Sequence, residues 1–334
     1  MADDPLVAGD GMAIVTQGLR KRYGARVALD GLDLNVPRGR VYGFLGPNGS
    51  GKTTTLRVLV GLIRPDGGRI SVLGTPFDWH DRKRMFRMGA LIESPTFYPY
   101  LSGRDNLRTF AAAGPPTPAT RVDEVLEAVG MNDRAGDKVK TYSLGMRQRL
   151  GIAGALLSDP ELLLLDEPAN GLDPAGIVAM RELLRQLTAQ GKTVVVSSHI
   201  LSEVQQLADV VGIIDHGRLV REGPMERLLT EGSRVRVRVA PEQVPHAVAL
   251  LTQRAPAQAL PPDGQGDGWL VVEVGPERAA DVNRVLAAAG IWASAITPSN
   301  DLESVFLSLT MAPPTGVPGG PPAGWGMPAP GDVR

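Results

Sequence analysis

A glycine-rich segment at residues 46–53 combines residue types that bind phosphate. Its sequence, GPNGSGKT, fits the pattern G-x-x-x-x-G-K-[ST] and lies between VYGFL, a strand pattern, and TTTLRVLVGL, a helix pattern. Backbone N–H groups of such a loop wrap a phosphate, Lys52 reaches its outer oxygens, and the Thr53 hydroxyl can ligate Mg²⁺. The alternative is an ordinary glycine-rich turn, which the full pattern in this context disfavours. The predicted site comprises Gly46, Pro47, Asn48, Gly49, Ser50, Gly51, Lys52 and Thr53.

Two acidic residues and a histidine follow two further apolar runs. Asp166 and Glu167 come directly after LLLL, and His199 comes after TVVVSS. Asp166 is placed to hold Mg²⁺ through water, and Glu167 is placed to accept a proton from an attacking water. Alternatively, both acids mark the point where a strand meets solvent. His199 either contacts the terminal phosphate or is a polar residue that opens the helix ILSEVQQLA.

Length, charge and composition limit the remaining possibilities. A chain of 334 residues suggests about two domains. The formal net charge of -1 gives no basic field, so we expect no nucleic-acid partner. The absence of cysteine fits a reducing compartment, and no uncharged apolar run approaches about 18 residues, the length that suggests a membrane span. We therefore expect a cytoplasmic protein.

Composition changes along the chain predict two domains and a tail. Apolar strand patterns alternate with helices up to residue 231, which predicts an α/β domain at 1–231 with a mainly parallel sheet, an added antiparallel part and a helical part at about 94–160. Residues 232–311 show the order β-α-β-β-α-β of a small ferredoxin-like domain. Residues 312–334 are rich in Pro and Gly and are expected to be disordered.

The second predicted domain begins with an alternation of Arg and Val. In RVRVRVA the residues Arg234, Arg236 and Arg238 share one face of a half-exposed strand. The row either binds an anion or nucleic acid, or is a solvated strand face, and we favour the second interpretation because alternating charges on a strand need no ligand.

The ordered set of motifs resembles the ATP-binding cassette (ABC) family over about residues 13–231. The motifs are the phosphate loop, YSLGM at 142–146, LLLLDE at 162–167, NGLD at 170–173 and His199. The resemblance implies a P-loop ABC ATPase fold, ATP and Mg²⁺ as ligands, and catalytic roles for Glu167 and His199. It also implies that Thr54 contacts phosphate, that Tyr23 stacks on adenine and that Asp173 contacts a second copy. Tyr23 is alternatively a loop residue, and Asp173 is also a suitable N-cap for a helix that begins at Pro174.

A second helix N-terminus with phosphate-binding character lies at YSLGM. In the family two copies pair head to tail, so Ser143 and Gly145 would contact ATP held by the partner copy. The usual signature is Leu-Ser-Gly-Gly-Gln, whereas Leu144 and Met146 replace its first glycine and its glutamine here. The serine and the second glycine are retained.

Another departure is Glu93, at a position where the family usually has glutamine. Glutamate keeps an oxygen ligand and adds a charge that Mg²⁺ tolerates, so we expect Glu93 to join Thr53 and Asp166 as a metal ligand. The alternative is a solvated loop residue.

The stretches IESPTFYPYLSGRDNL and YSLGMRQRLGIAGAL resemble those of exporter ATPases of the multidrug, bacitracin and lantibiotic-immunity type. That resemblance places Phe97, Tyr98 and Tyr100 near a groove for a cytoplasmic helix of the membrane partner.

Three functions remain open from the sequence. The preferred one is the ATPase subunit of a drug, peptide-antibiotic or lipid-like substrate exporter. It would associate with the cytoplasmic face of the membrane through a separate permease and act as a homodimer. The second is a soluble ABC ATPase acting on nucleic acid or ribosomes. The third is a nucleotide-dependent regulatory module with little turnover.

Overall fold

The computed structural model contains three β-sheets within its described residues. The described residues are 11–78, 80, 85–93, 96–231, 234–260, 268–299, 302 and 306. The predicted tail at 312–334 and most of the predicted final helix therefore lie outside them. No helix in the described part of the chain is long and apolar enough to cross a membrane.

The central sheet has six strands in the order β10-β9-β3-β8-β7-β6. Its strands are β3 (Val41–Leu45), β6 (Met88–Leu91), β7 (Leu162–Asp166), β8 (Thr193–Ser198), β9 (Val210–Asp215) and β10 (Arg218–Pro224). The first five pair in parallel, and β10 joins β9 in antiparallel register at the edge. The apolar runs of β3, β7 and β8 are buried, as expected for strands covered on both faces. The predicted mainly parallel sheet is confirmed.

A second, antiparallel sheet packs through its own apolar cluster against β3. It has the order β2-β1-β4-β5, with β1 (Met12–Tyr23), β2 (Arg26–Pro37), β4 (Gly67–Val72) and β5 (Thr75–Pro76). Leu29, Leu32 and Leu34 of β2 are buried together with Tyr42 and Phe44 of β3. This is the antiparallel addition that the sequence predicts.

Helices pack on both faces of the central sheet. They are α1 (Lys52–Leu59), α2 (Gly103–Ala113), α3 (Arg121–Ala128), α4 (Leu144–Leu156), α5 (Pro174–Ala189), α6 (Leu201–Gln205) and α7 (Met225–Glu231). Leu56, Val58 and Leu59 of α1 are buried in the cluster of the antiparallel sheet, whereas the other helices pack in the cluster on the opposite face. No strand occurs between β6 and β7 in the described residues, so α2, α3 and α4 form the predicted helical part. Leu107, Leu126 and Leu150, one from each of these helices, are fully buried in one cluster. Because α1 follows β3 directly and α6 follows β8, the helix N-termini and strand ends meet at one edge of the sheet.

The C-terminal part has the element order β-α-β-β-α-β. Its elements are β11 (Arg234–Arg238), α8 (Val244–Thr252), β12 (Ala257–Ala259), β13 (Trp269–Val272), α9 (Ala279–Ala288) and β14 (Ala295–Ser299). The sheet order is β12-β13-β11-β14, and all three pairings are antiparallel. Leu302 then leaves this part: it is fully buried in the apolar cluster of the helical side of the first part, and its N–H donates to Gln205 Oε1 at 2.9 Å.

The arginine row on β11 is occupied by contacts within the chain. Arg234 pairs with Glu273 at 3.0 Å. The guanidinium carbons of Arg236 and Arg238 lie 4.9 and 5.9 Å from the centre of the Trp269 ring. Cation–π contacts and an ion pair thus account for the row without a ligand. The preferred interpretation, a half-exposed face that needs no ligand, agrees with these contacts, and the Trp269 ring covers part of that face.

Candidate functional site

The glycine-rich loop links β3 to α1 with a backbone that only small residues allow. Gly49 and Gly51 have φ of 82° and 116°, in the region that L-residues with side chains rarely adopt. A Cβ on Gly51 would also lie 2.7 Å from the carbonyl oxygen of Ala28. The loop is therefore held close to β2, with its backbone N–H groups and the N-terminus of α1 on one side.

Lys52 begins α1 and folds back over this loop. Its side chain is only 5% exposed, and its ammonium donates to the carbonyl oxygens of Gly46 at 2.7 Å and Pro47 at 3.2 Å. Burial lowers the pKa of Lys52, and the nearby carboxylates of Glu167 and Asp166 act in the opposite direction. The ammonium is thus held over the loop at the start of α1, where a phosphate bound by the loop N–H groups could exchange for one of these carbonyl acceptors.

Ser50 gives independent support for a ligand at the loop. Its hydroxyl is buried and has no hydrogen-bond partner in the structure. Buried polar atoms are rarely left unpaired, because desolvation without a hydrogen bond costs about 1–3 kcal/mol. A phosphate oxygen held at the helix N-terminus would supply the missing partner, so the loop fits a nucleotide phosphate.

Asp166 ends β7 and lies beside Thr53 of α1. Thr53 Oγ1 donates to Asp166 Oδ2 at 2.8 Å, and Ser197 of the neighbouring strand β8 donates from Oγ to Asp166 Oδ1. Asp166 and Ser197 are register partners in the parallel pairing of β7 with β8. The structure therefore brings together two of the three predicted metal ligands.

Glu167 connects the lysine with the histidine. Its Oε1 lies 3.7 Å from Lys52 Nζ, and its Oε2 lies 2.5 Å from His199 Nδ1. Its φ of +48° is unusual for a residue with a side chain, and its N–H donates to Ser197 Oγ at 3.0 Å and to Ser197 O at 3.2 Å. Ser197 thus stabilises a strained backbone that directs the carboxylate toward the loop.

Glu93 makes no hydrogen bond to Thr53 or Asp166 and has a different partner. It follows β6 with φ of +68°, its side chain is 63% exposed, and it forms an ion pair with Arg57 of α1. Among the described residues, no three His, Cys, Asp or Glu side chains form a cluster that could hold a metal ion. The ligand role of Glu93 therefore stays a prediction, and Arg57 is a partner that the sequence did not indicate.

The remaining predicted residues lie on exposed helix starts and a strand end. Ser143 caps α4 by accepting from the N–H of Met146 at 3.2 Å, and Gly145 is in the first turn of that helix. Asp173 caps α5 by accepting from the N–H of Gly176 at 3.0 Å, which confirms its predicted capping role. Tyr23 ends β1 with 45% exposure, and Lys21 Nζ lies 5.6 Å from the centre of its ring.

Ser197 and Arg57 are the site residues that the sequence analysis missed. Ser197 had a weak signal, since it belongs to the polar end of TVVVSSH directly before His199. Its contact with Asp166 depends on the register between β7 and β8, which the sequence does not give. Arg57 had no signal, because arginine on an exposed helix face is ordinary.

Comparisons with known proteins identify the fold and the family. The fold has the arrangement of a P-loop ATPase: a parallel sheet, a glycine-rich phosphate loop, a helical part and two consecutive acids, Asp166 and Glu167. Residues 29–170 match the family described as ABC transporter. The chain is 41% identical to the bacitracin transport ATP-binding protein of Bacillus licheniformis over 89% of this chain and 96% of that protein. It is also 41% identical to the daunorubicin resistance ATP-binding protein of Streptomyces coeruleorubidus over 89% and 96%. The fold is also similar to the solved structure of cbiO1 from Clostridium perfringens, which is part of the ABC transporter complex cbiONQ. That match covers 73% of this chain and 97% of the cbiO1 chain, with a TM-score of 0.61 and 26% identity.

The chain therefore belongs to the ABC transporter ATP-binding protein family and is an ATPase subunit of a transporter. The predicted fold class and the resemblance to exporter ATPases are confirmed. These comparisons give no support to the alternative of an ATPase that acts on nucleic acid or ribosomes.

Proposed function

We propose that this protein hydrolyses ATP to power export of a drug or peptide antibiotic through a separate membrane permease. The observation that carries the proposal is the contact series Lys52, Glu167 and His199 beside a phosphate loop whose Ser50 hydroxyl lacks a partner. The bacitracin and daunorubicin relatives support the substrate class, since they match this chain over nearly their whole lengths.

Each residue of the series has a definite chemical task. Lys52 stabilises negative charge on the transferred phosphoryl group. Glu167 accepts a proton from, or orients, the attacking water, and His199 holds the second oxygen of that carboxylate in place. Thr53 and Asp166 are the residues that would hold Mg²⁺, which, when bound, supplies charge neutralisation between the phosphate groups. Glu93 is available as a third oxygen ligand when it is released from Arg57.

A second copy of the chain completes the site in this proposal. Ser143 and Asp173 are exposed N-caps, so the N-termini of α4 and α5 present their first turns to solvent. Helix N-termini favour an anion, and a head-to-tail dimer would place the start of α4 against the ATP of the partner. Two equivalent ATP sites would form across the interface.

A groove between the helical part and the central sheet is the proposed permease contact. It has a volume of about 360 Å³ and is lined by Phe97 and Phe110 beside β6. Tyr98 and Tyr100 are 57% and 74% exposed. Tyr98 directly follows Phe97 of the lining, and exposed aromatic residues at this place fit a helix of a membrane partner, which would hold the protein at the cytoplasmic face of the membrane.

Turnover and nucleotide-dependent association test the proposal together. We expect ATP hydrolysis that is lost in Glu167→Gln, while ATP still binds and the variant dimerises in ATP but not in ADP. Lys52→Ala should lose both binding and turnover. Tagged Glu167→Gln purified from detergent-solubilised membranes of the native host should carry a stoichiometric polytopic membrane protein, identified by mass spectrometry.

Different results would favour different functions. Wild-type protein without measurable turnover would favour the regulatory module. Co-purification of ribosomal or DNA-associated proteins with no integral membrane protein would overturn the exporter proposal. Unchanged ATP affinity in Lys52→Ala would overturn the assignment of the nucleotide site itself.

A further inference from the structure

A cavity in the C-terminal part has no role in the proposed ATPase cycle. It lies between α8 and α9 over the end of β13 and has a volume of about 380 Å³. Its apolar lining comprises Leu251, Ala255, Val272, Val274, Val282, Val285 and Ala288. Binding sites for small molecules are mostly apolar concavities of about 300–1,000 Å³ with a few polar groups, and this cavity has that size and character.

The charged groups at this cavity are mainly positive. Arg254, Arg278 and Arg284 line it together with one acid, Asp281. Asp281 is shared, since its carboxylate lies 3.0 Å from Arg284 and 4.0 Å from Arg278. Within the described residues, the guanidinium of Arg254 forms no hydrogen bond or ion pair. Its backbone N–H donates to Leu251 O at the end of α8.

We propose that this cavity binds a free amphipathic anion, with the apolar chain between α8 and α9 and the anionic group on Arg254. A methylene group takes about the same volume as a water molecule in the liquid, about 30 Å³. The cavity therefore has room for roughly a dozen such groups. A medium-chain carboxylate or a similar organic anion has this size.

The sign of the charge selects the ligand class. A cationic amphiphile would place its head group near three guanidinium groups and compete with them for the single carboxylate of Asp281. A carboxylate instead gains a charge-assisted bond with Arg254 without breaking an existing pair. The site is independent of the proposed nucleotide site, because its lining residues belong only to α8, β13, α9 and the segments beside them.

Calorimetric titration of the full chain with dodecanoate, below its micelle-forming concentration, tests the proposal. We expect saturable binding with one molecule per chain. Arg254→Ala should weaken binding about tenfold or more, as expected for loss of a hydrogen bond to a charged group. Ala288→Phe, at an exposed residue at the end of α9, should fill part of the cavity and also weaken binding. Arg64→Ala, which removes an exposed arginine outside the cavity, should leave the affinity unchanged.

Three comparisons can overturn the inference. Dodecyltrimethylammonium has the same chain length and the opposite charge, and equal affinity for it would exclude charge selection. Equal dodecanoate affinity in wild type, Arg254→Ala and Ala288→Phe would exclude this cavity as the site. Binding only to vesicles that contain phosphatidylglycerol, with none of monomeric dodecanoate, would show a membrane surface contact in place of the proposed free ligand. An unchanged circular dichroism spectrum and unfolding midpoint would show that the variants remain folded.

Discussion

The hydroxyl of Ser197 holds the two acidic residues of the candidate site in place. Ser197 is fully buried, donates from Oγ to Asp166 Oδ1 and accepts from the N–H of Glu167 at 3.0 Å. Ser197→Ala keeps the Cβ and removes only this hydroxyl. Asp166 would retain the Thr53 bond at 2.8 Å, and the N–H of Glu167 would retain Ser197 O at 3.2 Å. The substitution therefore removes two hydrogen bonds, of which the one to Asp166 is to a charged group.

That loss sets the expected magnitude. Hydrogen bonds to charged groups contribute about 1.5–3 kcal/mol, so Ser197→Ala should lower the free energy of unfolding by about 2 kcal/mol. The Asp166 carboxylate would have one fewer donor, and the Glu167 backbone would have one fewer restraint. Both side chains should therefore be less firmly oriented. If about 1.4 kcal/mol of this is transition-state stabilisation, the kcat for ATP hydrolysis falls about tenfold.

Ser198→Ala is the matched control, because it removes a hydroxyl from the next residue of the same strand. Ser198 Oγ accepts from the N–H of Ile200 at 2.9 Å and donates to Ile200 O at 3.4 Å, so its hydrogen bonds go to Ile200 and not to the acids. Its loss should cost about 1 kcal/mol of stability and leave kcat nearly unchanged. Denaturant unfolding and steady-state phosphate release measure the two quantities. Equal reductions of kcat in Ser197→Ala and Ser198→Ala would refute the reasoning, since a general packing defect would then explain both.

Three further substitutions test other parts of the structure. Gly51→Ala should abolish ATP binding in a calorimetric titration and destabilise the protein by about 1–3 kcal/mol, because φ is 116° and the new Cβ would meet Ala28 O. Leu302→Ala should lower the free energy of unfolding by about 2–5 kcal/mol in a denaturant titration, because Leu302 is fully buried in the apolar cluster on the helical side of the central sheet. A decrease below about 0.5 kcal/mol, which is typical of a surface substitution, would contradict this packing. Asp159→Asn keeps a side chain that tolerates the φ of +52° and removes a charge whose pKa is lowered from 3.8 chiefly by the hydrogen bond from Lys192. Since a lowered acid pKa contributes stability above the unfolded value, wild type should be more stable than Asp159→Asn at neutral pH, and the difference should vanish as pH falls through the folded pKa; a difference independent of pH would contradict this.

Local sequence was sufficient to predict the central sheet and the phosphate loop. Apolar runs without alternation mark strands buried on both faces, and β3, β7 and β8 have the predicted character. The glycine-rich motif specifies its own strand–loop–helix context, so its placement between β3 and α1 needs no long-range information. The period-two pattern of β11 was equally informative: Val235 and Val237 are buried, and the arginines between them are half-buried.

Two kinds of contact could not be predicted: those that depend on sheet register, and those made by a C-terminal segment that packs against residues far earlier in the chain. Leu302 belongs to a segment that the sequence assigned to the C-terminal domain, yet its side chain is buried with residues of the first part. An apolar residue in a helical pattern indicates that one face is buried, and it does not say against which element. The domain boundaries therefore stay a prediction, and the contact of Leu302 with Gln205 is a tertiary fact that only the structure supplies.

The same limit explains why Glu93 is the least determined of the predicted site residues. Its expected ligand role came from the family resemblance, in which a glutamine usually occupies this position. In the structure Asp166 has donors from Thr53 and Ser197, whereas Glu93 has the guanidinium of Arg57. A carboxylate paired with arginine must exchange that partner before it can ligate a metal ion, and an exposed ion pair is worth only about 0–1 kcal/mol, so the exchange is inexpensive. Asp166 is held by donors from two elements in the register of β7 with β8, whereas Glu93 is held by one exposed ion pair, so its ligand role stays a prediction.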